Sequence, residues 1–190
     1  AASWSLTELC GPSRPDLTGR TVLDPWGNEH PAGVAHADPW VQIAATSEYQ
    51  TKTTMRLFPG MVTKQLKAEH SLDLGKIVIY SDHGAGVIEG VTRSPVSLEG
   101  ARSTFVIRNE GQHWLERNDG HEMADVIDRN VVKSADGQGR AVTFGNAPEP
   151  SEDSMLLRER EGFEAIEAGK SAATGILYDS LEAPPDAPMT

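Results

Sequence analysis

The sequence predicts an α/β fold with a mainly parallel central sheet flanked by helices, and three observations carry that expectation. Runs suited to strands, at 40–46, 77–80, 86–91, 103–108 and 140–144, alternate with segments that read as helices at 49–58, 121–133 and 151–168. In the helix expected from His121 to Lys133, the residues Met123, Ile127 and Val131 recur at i, i+4 and i+8 and share one face. The run Thr104, Phe105, Val106, Ile107 is continuously apolar or β-branched, as a buried strand requires. Strands alternating with helices build a parallel sheet, because a parallel neighbour needs a crossover long enough to hold a helix.

The elements follow in order. Residues 1–9 read as the last turns of a helix, with Trp4 and Leu6 or Leu9 inward and Cys10-Gly11-Pro12 as its stop. A helix under way at residue 1, with no initiator Met and no cap before it, points to a chain cut from something longer. Residues 11–39 show no period and read as a loop-rich insertion. Trp40 to Thr46 is a buried strand, and Tyr49 to about Phe58 a helix with Met55 and Phe58 inward. Pro59-Gly60 interrupts that helix before a second short one carrying Val62 and Leu66. Strands at 77–80 and 86–91 are joined by the turn 81–85, and the strand at 103–108 follows. After the helix 121–133, Asp136 to Gly139 is a turn and Arg140 to Phe144 a strand ending in Gly145-Asn146-Ala147. Ser151 is placed to cap a helix running to about Ala168, with Met155, Phe163 and Ile166 buried. Thr174 to Tyr178 reads as a closing strand, and Glu182 to Thr190 as a proline-rich linker. No internal repeat is visible.

Composition bounds the function. At 190 residues the chain is one ordinary domain, or most of one. An apolar content of 38% and a mean hydropathy of −0.40 suit a water-soluble globular chain, and no stretch approaches the roughly 18 apolar residues of a membrane span. The single cysteine, Cys10, excludes an internal disulfide framework and fits a reducing compartment. A net charge of −11 argues against a surface that grips nucleic acid everywhere; contact with DNA needs a local basic patch or an assembled ring.

The segment from Arg102 to Trp114 carries the chemistry. Its apolar strand runs straight into Asn109-Glu110-Gly111-Gln112-His113. In an open α/β sheet, reactive groups sit just past the carboxyl ends of the strands. A carboxylate there can activate water beside a bound nucleotide and its magnesium. An ordinary strand ending in a polar loop presents the same pattern, so the pattern alone leaves both readings open.

Gly169-Lys170-Ser171 has the last three letters of a phosphate-binding loop, but that loop needs a glycine where Glu164 stands. The tripeptide also ends a helix instead of opening one, so helix termination by Gly169 is its expected role. No other Gly-Lys-Ser/Thr occurs in these 190 residues.

Four ordered blocks together resemble the phage terminase large subunit, the DNA-packaging motor ATPase of tailed phages. They are Trp40 to Gly60; Thr104 to Trp114 with Asn118 to Met123; Gly145 to Ser154; and Gly175 to Pro188. The second is similar to the family's Walker B segment, particularly in phages of actinobacteria, the third to its coupling motif, and the fourth to the close of the ATPase half. The resemblance implies the additional-strand, catalytic-glutamate type of P-loop NTPase fold, here without its phosphate-binding loop. It implies a partial ATPase domain over 1–182 that begins after that loop, with 183–190 a linker toward a nuclease domain. The implied cofactors are ATP and Mg²⁺. The implied partners are double-stranded DNA, the portal protein and the terminase small subunit, in a homo-oligomeric ring and with no membrane. The implied place is the host cytoplasm, transiently docked on the procapsid.

Roles carry over by position. Glu110 matches the catalytic glutamate that orients or deprotonates the attacking water. Asn109 stands where the wider family has an aspartate holding magnesium's water shell, so an amide oxygen replaces a charge and metal affinity must lean on groups elsewhere. Asn146 matches the polar coupling residue, placed to sense the γ-phosphate; an Asn-Ala-Pro turn approaching a helix is the plainer reading. Arg93 and Arg102 flank the strand before Glu110, and either is a candidate arginine finger or a solvated loop arginine. His113 and His121 lack companions at ligand spacing and are expected to be satisfied or solvent-facing. Gln42 and Gln50 are expected as core-edge and helix-start polar groups. Two other functions stay open: a helicase-like P-loop ATPase, and a non-catalytic α/β interaction domain from a truncated gene.

Overall fold

Strand β5 (Trp40–Ala45) is buried over all but its first residue, because its neighbours pair with both its edges and helices cover both its faces. In the computed structural model, which describes residues 1–92, 98–134, 137–173 and 176–180, helix α1 (Ala2–Cys10) opens the chain. Two short antiparallel pairs follow: β1 (Arg14–Pro15) with β4 (Gly33–Val34), and β2 (Thr21–Leu23) with β3 (Glu29–Pro31). The region expected as loop is therefore a pair of small ribbons, of strands too short for a period to show. At the turn between β2 and β3, Asp24 accepts hydrogen bonds from Trp26 N, Asn28 N and Asn28 Nδ2.

Beyond β5 come α2 (Glu48–Met55), α3 (Phe58–Met61) and α4 (Lys64–Glu69). Pro59 lies in the first turn of α3, where its missing N–H is no loss, so it begins a helical turn as well as ending the previous one. Strands β6 (Asp73–Leu74), β7 (Val78–Ser81) and β8 (Gly86–Thr92) form an antiparallel meander. The chain then builds a β-α-β unit from β9 (Phe105–Asn109), α5 (Gly120–Lys133) and β10 (Arg140–Phe144), and the last helix among the described residues is α6 (Met155–Glu167).

The six-stranded sheet has the order β10-β9-β5-β8-β7-β6. Its first four strands are parallel and its last two antiparallel. Alternate residues of each parallel strand feed opposite faces, as the two-residue period of a strand dictates. Val41, Ile43, Phe105 and Ile107 pack with Leu9, Met55 and Phe58 on one face. Ala44 and Val106 pack with Trp114, Met123, Ile127, Val131 and Met155 on the other. Each fully buried Ile, Phe or Met contributes roughly 1.5–3 kcal/mol by leaving water, so these two clusters hold the layers together.

Details differ from the sequence reading for physical reasons. Trp4 is 52% exposed instead of inward: it lies over the sheet edge, stacked on Phe105 at 6.4 Å and edge-on to Phe144 at 5.7 Å, while Leu9 takes the buried place. Ser154, not Ser151, caps α6, accepting from Leu157 N. The start of that helix is fixed from outside it, by Met155 N donating to Trp114 O. Phe163 and Ile166 are half-buried, Phe163 stacking at 5.3 Å on Tyr178. Residues 176–178 form no strand, and Thr174 and Gly175 lie outside the described residues, as do Asp136 and the tail 181–190. Gly169 ends the helical stretch with φ +68°, the terminating role expected of it. Cys10 is half-buried, its thiol pushed up to about 11 by burial and the nearby Asp82 and Glu69, which keeps it in the unreactive thiol form. Among the described residues no helix is long and apolar enough to cross a membrane.

Candidate functional site

The parallel register Asn109↔Phe144 brings the ends of β9 and β10 side by side, so the two polar motifs that follow them meet at one edge of the sheet. Asn109 is the last residue of β9 and half-buried. Glu110 follows with φ 58° and ψ 55°, a left-handed conformation that costs a non-glycine residue roughly 1–2 kcal/mol. Such backbone persists only where the surroundings over-determine it. Here they do. His113 N donates to Glu110 O at 2.9 Å and Trp114 N to Gly111 O at 3.2 Å, closing a tight turn over Gly111–His113. The wholly buried Trp114 then returns its ring N–H to Asn109 O at 3.0 Å.

Within this turn Gln112 faces inward and is buried. Its Nε2 donates to Glu110 Oε2 at 2.6 Å, and its Oε1 accepts from Asn146 N at 3.1 Å. Glu110 Oε1 has no hydrogen-bond partner among the described residues. Two glycines make room. A Cβ on Gly111 would meet Thr143 Cγ2 at 2.4 Å, and one on Gly145 would meet Gln112 Oε1 at 2.4 Å.

Arg108 anchors the strand on the helix side. It is buried, and its guanidinium donates to Thr143 Oγ1 at 3.1 Å, Asp128 Oδ1 at 2.8 Å and Glu159 Oε1 at 2.8 Å. The planar fork can serve three acceptors at once. Burial holds the Glu159 carboxyl above its ordinary range, outweighing the opposite pull of Arg108 and the Thr143 hydrogen bond. Desolvation exceeds the ion-pair gain here.

The other sequence candidates fall elsewhere. Arg102 is exposed and precedes β9, so it lies at the strand's opposite end from Glu110, along a shallow cleft with Arg14, His36, Asp38 and Lys133. Arg93 lies outside the described residues. His113 is exposed, and His121 pairs its Nε2 with Asp153 O at 2.9 Å. No group of three or more His, Cys, Asp or Glu residues placed to hold a metal occurs among the described residues. Gln42 is buried and donates to Glu89 Oε1 at 2.9 Å, and Gln50 N donates to the capping Ser47, the core-edge and helix-start roles expected of them. Arg108 and Gln112 received no role from the sequence. A cation inside an apolar strand is the signal for the first; an amide two residues after a strand-end carboxylate is the weaker signal for the second.

The chain thus has a mixed α/β fold built on a mostly parallel central sheet. The HK97 bacteriophage large terminase has it too: the match covers 98% of this chain and 33% of that one, with a TM-score of 0.56 at 16% sequence identity. By sequence the chain is 41% identical over 194 residues to the Gene 13 protein of Mycobacterium phage L5, and 41% identical over 197 residues to that of Mycobacterium phage D29. Both matches take in all of this chain and 31% of the relative, so the chain spans about a third of the length of these curated relatives. No family model matches the chain.

Proposed function

We propose that these 190 residues form part of the ATPase motor of a phage terminase large subunit, which drives packaging of double-stranded DNA into procapsids. The observation that carries the reading is the meeting of Glu110 and the Asn146 turn at the carboxyl ends of two adjacent parallel strands, linked through Gln112. The likeness in fold to a large terminase agrees with it.

In this reading Glu110 is the general base. Its Oε1, which has no hydrogen-bond partner among the described residues, accepts a proton from the attacking water, while Oε2 stays held by Gln112. Positioned base catalysis of this kind is worth about 10²–10⁴ in rate. Asn109 and Glu110 offer hard oxygen donors, which suit the water shell of Mg²⁺. The donors that grip a triphosphate in this architecture, a Gly-x4-Gly-Lys-Ser/Thr loop, are not among these residues. The described edge of β10 pairs with nothing beyond β9, which leaves a strand carrying such a loop a place beside Asn146. Bound ATP·Mg²⁺ supplies the electrophilic γ-phosphorus. Asn146 is placed to contact that phosphate, and Arg102 or Arg93 is the proposed finger toward a neighbouring subunit in a ring.

The test is ATP hydrolysis by a protein of the relatives' full length carrying these residues. Turnover stimulated by double-stranded DNA and by docking on a portal is expected. Turnover indifferent to both would favour an ATPase of another kind, and absent turnover a non-catalytic domain.

A further inference from the structure

We infer that Gln112 is a positioning residue that couples the carboxylate of Glu110 to the turn at Asn146. The inference rests on Glu110 being the catalytic base. A carboxamide is the side chain the geometry calls for: its N–H₂ faces a carboxylate oxygen and its C=O faces a backbone N–H. The flipped amide would set oxygen against carboxylate and N–H against N–H, so both partners fix one orientation. Glutamate has the length but no donor for Glu110. Asparagine has the donor but is one methylene short of spanning the two.

The link is taut at both ends. Gln112 is buried within a turn closed by Trp114 and Asn109, and its carboxamide leaves that place only by giving up both of its hydrogen bonds. Gly145 lies so close that any side chain there would strike the carboxamide oxygen. Glu110 itself is held left-handed, so its carboxylate depends on the turn for its direction. A movement of the Asn146 turn therefore pulls on Gln112, and Gln112 turns the Oε2 side of Glu110. The end of β10 thus reports to the reactive carboxylate through one side chain.

Two measurements decide the matter. In the full-length protein, Gln112→Met and Gln112→Glu both keep the side chain's size, and both lack the donor to Glu110. Each is expected to lower kcat roughly 10–100-fold, the cost of a misplaced catalytic group, with KM for ATP little changed. A space-filling role would tolerate Gln112→Met, which places no second carboxylate beside Glu110. Normal kcat in both variants, where Glu110→Gln abolishes turnover, would overturn the coupling; normal turnover in Glu110→Gln would overturn the reading of Glu110 beneath it. In the 190-residue chain, Glu110→Ala is expected to shift the amide resonance of Asn146, and to leave it unmoved when Gln112→Met is already present. A shift of equal size in both backgrounds contradicts the link. Should Gln112→Met fail to fold, Gly145→Ala displaces the carboxamide without altering it and must give the same uncoupling.

Discussion

Arg108 Nη2 donates to Glu159 Oε1 across 2.8 Å, tying β9 to α6 two residues before Glu110 in the chain. The guanidinium side chain is 7% exposed, whereas those of Glu159 and Asp128 are 29% and 57% exposed. Removing one partner of a fully buried pair costs several kcal/mol, and the partial exposure of both carboxylates lessens it, so Arg108→Ala should destabilise the fold by roughly 2–3 kcal/mol. The double change Arg108→Met with Glu159→Leu should cost less than Arg108→Ala alone, because it strands no buried charge. Denaturant unfolding of the three proteins decides this; equal losses would mean that packing, not charge, dominates here.

The same carboxyl gives the fold a pH dependence. Glu159 is raised from an ordinary value of 4.5 chiefly by burial, so the folded form holds its proton more tightly than the unfolded chain. Its stabilising contribution is complete below about 4.5 and is lost as pH rises through the raised value. Glu159→Gln removes that loss. The variant should gain on the wild type in melting temperature as pH rises from about 4 to about 7. A difference that stays constant over that window would show that Glu159 ionises as freely folded as unfolded.

Asn109 sets a third expectation, within the proposed reading. An amide beside Glu110 leaves the site one negative charge short of an Asp-Glu pair, which weakens its attraction for a divalent cation. Asn109→Asp in the full-length protein should lower the Mg²⁺ concentration for half-maximal ATPase without abolishing turnover. An unchanged Mg²⁺ requirement would place Asn109 away from the metal.

Much of this was legible in the sequence, and the exceptions share a cause. β9 and β10 declare themselves as short runs suited to buried strands and α5 by its period, with Met123, Ile127 and Val131 all buried as their spacing requires. The pairs in 14–34 and the two-residue β6 are too short to carry one. Ser151 and Ser154 are equal as local caps. A distant contact, Met155 N to Trp114 O, chooses between them. Trp4 shows the same limit, since only the tertiary structure puts Phe105 and Phe144 beneath it at the sheet's edge. In the site, Asn109, Glu110 and Asn146 stood out as polar residues after apolar strands. The bond from Gln112 to Asn146 spans 34 positions and follows only once β9 and β10 are neighbours in register.

The most direct measurement is the ATPase rate of Glu110→Gln against wild type, in a protein of the relatives' full length and with double-stranded DNA present. The substitution keeps the side chain's size and one oxygen able to accept from Gln112 Nε2, and removes the charge and the basic oxygen. A fall in kcat of at least about 10²-fold, with the fold and KM for ATP retained, is the expected result. A kcat within a few-fold of wild type would contradict the assignment of Glu110 as the group that activates water.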